Sequence, residues 1–147
     1  MELHIRQGLL NQRQALLEND ADVELIAKSY HFTREEVKRA KEYLFVNPDL
    51  LDSVNIEMWR LAQSGNTHPS VKNFLDHEIT ESGIMQSMQI PFNDTAARDA
   101  AWPTAHSETL SRQQVPPFAL FHPQVIAQHS EEFSAGFHTY WQQQSLH

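Results

Sequence analysis

Nine histidines, nineteen acidic residues and no cysteine bound the chemistry open to these 147 residues. Zinc sites draw His or carboxylate ligands from fixed elements, often at i, i+3 or i, i+4 on a helix. The best local pair is His129 with Glu132, and His122 projects towards the same side. His129 also borders an apolar face made by Ile126, Phe133 and Tyr140, where its commoner role is to cover the core edge with one hydrogen bond. Asp76-His77-Glu78 is rich in ligand types, but consecutive helix residues point in different directions. No HExxH motif occurs. Ser107 and Glu108 beside His106 suggest a nucleophile and a base. Adjacent residues seldom orient for that, no nucleophile-elbow glycine pattern is present, and Ser107 reads better as a helix N-cap.

The missing cysteines remove disulfides, thiolate zinc sites, iron–sulfur clusters and cysteine nucleophiles together. The four glycines, at 8, 65, 83 and 136, form no phosphate-binding loop. The residues therefore name no catalytic group, no metal set and no cofactor. A metal-dependent enzyme using His129 and Glu132 is the weakest of three functional readings.

A second chemistry is nucleic-acid binding. Residues 26–44, IAKSYHFTREEVKRAKEYL, have the outline of a helix-turn-helix. Arg34, Lys38 and Lys41 are spaced i, i+4, i+7 along the second helix, and His31 stands just before it, where phosphate or base contacts would be made. The same residues also suit ordinary surface pairing, Lys38 with Glu42 and Glu35 with Arg39. Residues 28–45 carry a net charge of only +2, against −8 for the whole chain. The acidity is concentrated in residues 47–147, at −7, which would repel DNA.

The third chemistry is docking. Phe133, Phe137 and Tyr140 form a stripe on a C-terminal helix with Trp141 at its flank, and aromatic anchors dominate interface energetics. Ile56 and Trp59 fall outside the main apolar face of their own helix and make a second patch. A helix apolar on more than one side is either central or docks a partner.

These residues need helices to position them. Leucines at 3, 10 and 17, with 9 and 16 beside them, predict a helix over 2–19. A short helix follows over 21–29, with Val23, Ile26 and Ala27 inward. Thr33 and Glu36 form a capping box, flanked by Phe32 and Val37 as a hydrophobic staple, so a third helix runs from 34 to about 45. Asn47-Pro48 predicts a fourth helix reaching about Ser64, with Gly65 as its C-cap. Pro69 starts a fifth, with Gly83 after its end.

From Ile84 to residue 122 the chain reads as an irregular strap. It holds Pro91, Pro103, Pro116 and Pro117, and short helical pieces are predicted over 94–101 and 107–113. A last amphipathic helix runs from Pro123 to about Gln144. The expected fold is all-α, a compact bundle of five to seven helices in one domain. Residues 1–83 form the helical core with the helix-turn-helix-like pair at 21–45, 84–122 the Pro-containing segment, and 123–147 the C-terminal helix.

No run approaches the roughly 18 apolar residues of a membrane span, and the N-terminus has no secretory pattern. A cytoplasmic protein without membrane contact is expected. The leading reading is a non-enzymatic protein–protein interaction module, such as an accessory, adaptor or inhibitory subunit, binding a protein partner or a second copy. A helix-turn-helix DNA-binding regulator is the alternative.

Overall fold

The computed structural model describes residues 3–129. The fold is all-α: seven α-helices and two 3-10 turns, with no strand among the described residues.

Helix α1 (Leu3–Leu17) leads into α2 (Ala21–Tyr30) and α3 (Arg34–Phe45). The capping box closes as its spacing requires. Thr33 Oγ1 accepts from the Glu36 amide at 3.1 Å, and the Glu36 carboxylate accepts from the Thr33 amide at 2.9 Å. Between α2 and α3 the chain turns at His31, which adopts a left-handed φ of 62°. Val23, Ile26, Val37 and Ala40 are fully buried between these two helices and the rest of the core. Arg13 ties α1 on by donating to the carbonyls of Phe45 and Val46 at 2.8 and 2.7 Å, where α3 leaves its last acceptors open.

The fourth helix starts later than the Asn47-Pro48 signal predicts. Asn47 caps only a 3-10 turn, Pro48–Leu50. Leu51 is extended, and Asp52 then captures the Val54 amide at 2.8 Å to begin α4 (Ser53–Gln63). At the other end Gly65, at φ +75°, completes the stop, with the Asn66 amide reaching back to the Leu61 carbonyl.

Helix α5 (Pro69–Ser87) does not stop at Gly83. The guanidinium of Arg39 lies over that glycine, donating to Ile79 O at 2.7 Å and Ser82 Oγ at 3.1 Å. A Cβ at position 83 would sit 3.0 Å from Arg39 Nη2. The glycine is therefore a gap for a side chain from α3, not a helix end.

Residues 84–122 likewise differ from the expected strap. They complete α5 and then form one long helix, α6 (Thr95–Gln113), with Pro103 inside it. Ser107 lies within this helix and caps nothing; Asp94 is the cap, accepting from the Ala97 amide at 3.0 Å. The proline removes one hydrogen bond but does not end the helix, because Ala101 and Ala105 are buried against α5. Only residues 114–122, with Pro116 and Pro117 at a 3-10 turn, form the Pro-containing segment before the last described helix, α7 (Pro123–Gln128). His68 caps α5 and His122 caps α7, each accepting a backbone amide at Nδ1, and the two rings sit 4.8 Å apart.

The core runs through α2 to α5. Among the described residues, no helix is long and apolar enough to cross a membrane.

Candidate functional site

Glu81 and His77 are one turn apart on α5, so their side chains meet on one face. His77 Nε2 lies 2.8 Å from Glu81 Oε2. From α6, His106 brings Nδ1 to 3.0 Å from the same oxygen. Tyr43, from α3, donates its hydroxyl to Glu81 Oε1 at 2.6 Å. Glu81, His77 and Tyr43 are buried, and His106 is partly so. Three helices thus converge on one carboxylate.

Each partner is held from behind. Gln113 Nε2 donates to the Asn73 carbonyl at 2.7 Å, which turns its Oε1 to His77 Nδ1 at 3.3 Å. That contact sets the ring so that Nε2 faces Glu81. The Trp102 ring stacks on His106 at 4.2 Å between centroids and 15° between planes. His77 and His106 meet edge to face at 5.0 Å. Arg98 lies over the Tyr43 ring at 4.1 Å and donates to the Phe92 carbonyl, bracing the tyrosine from the α6 side.

The cluster lines a cavity of about 560 Å³, within the size range of small-molecule sites. Asp52, Glu78 and Asp99 also line it, with Arg98 the one Lys or Arg in the wall among the described residues. Apolar wall comes from Leu50, Trp102, Phe118 and Phe121.

The two glutamates of α5 are driven apart in pKa. Burial alone would raise the pKa of Glu81, but hydrogen bonds from His106, His77 and Tyr43 overcome it and hold the carboxyl below its ordinary range. Glu78 is pushed up, first by burial and then by the Glu81 charge beside it. For His77 burial works against the charged ring, yet the bond to Glu81 and the nearby Glu78 raise its pKa. Tyr43 is raised by burial and by the Glu81 charge.

Few residues singled out from the sequence fall here. Ile56 and Trp59, a candidate docking patch on a helix that is either central or docks a partner, are 1% and 0% exposed, so the helix is central. Trp59 packs edge to face on Phe45 at 5.5 Å and donates its indole N–H to Asp22 Oδ2 at 2.8 Å, because α2 closes over α4 on the side that the wheel left open. Phe133, Phe137, Tyr140 and Trp141 lie outside the described residues, as does Glu132. His129 sits with Nε2 3.1 Å from Glu57 Oε2 and does not line the cavity.

The basic stripe does not face outward as one surface. Lys41 is buried, its ammonium 2.8 Å from Asp22 Oδ1 and from the Asn19 carbonyl. Lys38 pairs with Asp20 at 2.9 Å, and Arg34 with Glu24 at 2.6 Å. His31 is exposed at the turn. Ser107 and Glu108, next to His106, are exposed and do not line the cavity.

The missed signal lies inside the triplet that the sequence does flag. Asp76-His77-Glu78 extends to His77-Glu78-Ile79-Thr80-Glu81, in which a carboxylate stands four residues after the histidine. His106 has no local signal, since only the packing of α6 on α5 brings it in. Comparison with known proteins gives no match, whether to family models, to curated protein sequences or to solved structures.

Proposed function

We propose that the protein is a hydrolytic enzyme, with the substrate held in the cavity against the His77–Glu81–His106 cluster. The cluster activates a water molecule. The water oxygen bonds to an acyl or phosphoryl centre, the bond to the leaving group breaks, and the proton lost by the water passes through the site to the leaving group.

The observation that carries this reading is the convergence itself. Two histidines and a carboxylate are withdrawn from solvent, drawn from two helices and aimed at one point on a cavity wall. Burying such groups costs several kcal/mol, and well-packed apolar residues would hold α5 to α6 at least as firmly. Convergent polar groups in a largely apolar cavity are the mark of a working site. Of the residues behind the docking and DNA readings, Trp59 and Ile56 are core residues and Lys41 is internal, while the C-terminal aromatic stripe lies outside the described residues.

The test is turnover of p-nitrophenyl acetate, bis-p-nitrophenyl phosphate and fluorescent casein, with divalent metal salts supplied. At least one class is hydrolysed by the wild-type chain. Glu81→Gln, with unchanged helicity by circular dichroism, loses about 100-fold or more, the scale of a positioned acid–base group. Failure to turn over any class, or equal turnover by the variant, removes the reading.

A further inference from the structure

We infer that His77 Nε2, Glu81 and His106 Nδ1 form a binding site for a divalent transition-metal ion of the zinc type, open on its fourth side to the cavity. This rests on the hydrolytic reading of the same cluster and names how the water is activated.

The three donor atoms lie within 4.8 Å of one another. A tetrahedral zinc ion with bonds of about 2.0–2.1 Å separates its ligand atoms by about 3.3 Å. The two nitrogen–oxygen distances, 2.8 and 3.0 Å, need widen by only about half an ångström to reach that edge. His77 and Glu81 supply two ligands one helical turn apart, and His106 supplies the third from a second helix. The third edge, between the two nitrogens, is no longer than 4.8 Å and closes towards the same value when the ion is bound.

The surroundings are those that a metal ligand needs. A ligating histidine usually gives its other ring nitrogen to a carbonyl or carboxylate, which fixes the tautomer, and a ligating carboxylate is itself hydrogen-bonded. Gln113 does the first for His77 and the Tyr43 hydroxyl does the second for Glu81. The donor set of two imidazoles and one carboxylate decides the class of ion. Calcium and magnesium prefer shells made of oxygen, whereas zinc takes this mixture readily, with a fourth position left for water or substrate. Asp52 and Asp99 around the same cavity favour a cation further.

The test is a titration of the metal-stripped full chain with zinc sulfate, followed by calorimetry, and with cobalt(II) chloride, followed by visible absorption. One zinc binds per chain, and cobalt gives the intense visible bands of a low-coordinate nitrogen–oxygen site. Glu81→Gln and His106→Ala each weaken zinc binding about 100-fold or more, and Tyr43→Phe about 10-fold. Asn55→Ala, a cavity-wall change outside the ligand set, leaves the affinity as it was. Because His106→Ala opens a gap beside Trp102, Glu81→Gln serves as the near-isosteric check. Absence of one-to-one zinc binding, or equal binding by wild type and Glu81→Gln, overturns the assignment. Zinc bound one-to-one without hydrolysis keeps the metal site and removes the enzyme. Hydrolysis that survives exhaustive chelation removes the metal and keeps the enzyme.

Discussion

At the scale of single residues the fold depends on polar groups that are buried and fully used. Asp22 is the centre of one such group. Its carboxylate takes the Lys41 ammonium on one oxygen and the Trp59 indole N–H on the other, and so joins α2, α3 and α4. Breaking a buried ion pair costs about 3–5 kcal/mol, and the low end applies here because Lys41 keeps the Asn19 carbonyl at 2.8 Å and Asp20 at 3.4 Å. Asp22→Ala should therefore lower unfolding stability by about 3 kcal/mol, read from the urea midpoint at unchanged slope. Trp59→Gln should do at least as much by emptying the core. A Trp59 variant that stays as stable as wild type would show the side chain to be dispensable there. The tryptophan was visible in the sequence only as a misfit on its own helix wheel. What makes it internal is a partner 37 residues away, Asp22, which no local periodicity reports.

Elements show where the sequence is readable and where it is not. Caps are local, so Thr33 and Glu36 located the start of α3 to the residue. Pro69 likewise placed the start of α5. Gly83 misled because its reason is not local: it makes room for Arg39 from another helix. That origin gives a two-step prediction. A glycine inside a helix costs about 1 kcal/mol relative to alanine. Gly83→Ala recovers that but pushes Arg39 off two hydrogen bonds worth about 1 kcal/mol each, so alone it should be neutral to slightly destabilising. In an Arg39→Ala background the same change should stabilise by about 1 kcal/mol. Equal effects in both backgrounds would separate the glycine from the arginine. Helix α6 was hidden for a related reason: its inward anchors are alanines, and Pro103 interrupts the pattern. The candidate site inherits that obscurity. His77 and Glu81 are legible as a helical pair once read four apart, while His106 enters only with α6.

For the molecule as a whole, net charge and acid response can be tied to named groups. Asp20 is held below its ordinary pKa of 3.8 mainly by the hydrogen bond from Lys38, with Lys41 adding to it and burial opposing. A carboxyl depressed in the folded state contributes stability above its ordinary pKa, and that contribution is lost as pH falls through the folded value. Asp20→Asn should therefore be less stable than wild type near neutrality, with the gap closing below about pH 4 in urea titrations. A constant gap from neutral to acid pH would assign the loss to packing. The proposed metal acts on the same global quantity. Zinc at a hundred times its dissociation constant should add about 2.7 kcal/mol, seen as a concentration-dependent rise in Tm that Glu81→Gln lacks.

The spacing of the cluster along the chain also sets an order in time. His77 and Glu81 leave the ribosome together, but His106 follows 25 residues behind Glu81. At 5–20 residues per second that interval is roughly 1–5 s. Tyr43 and the α2–α4 framework are already synthesised by then, so the nascent chain carries half of the site before the other half exists. Assembly waits on one helix, α6, whose docking brings in His106, Trp102 and Gln113 in a single event. The last-made part of this constellation is thus the one that α6 contributes, and His106 meets Glu81 only once that helix has packed on α5.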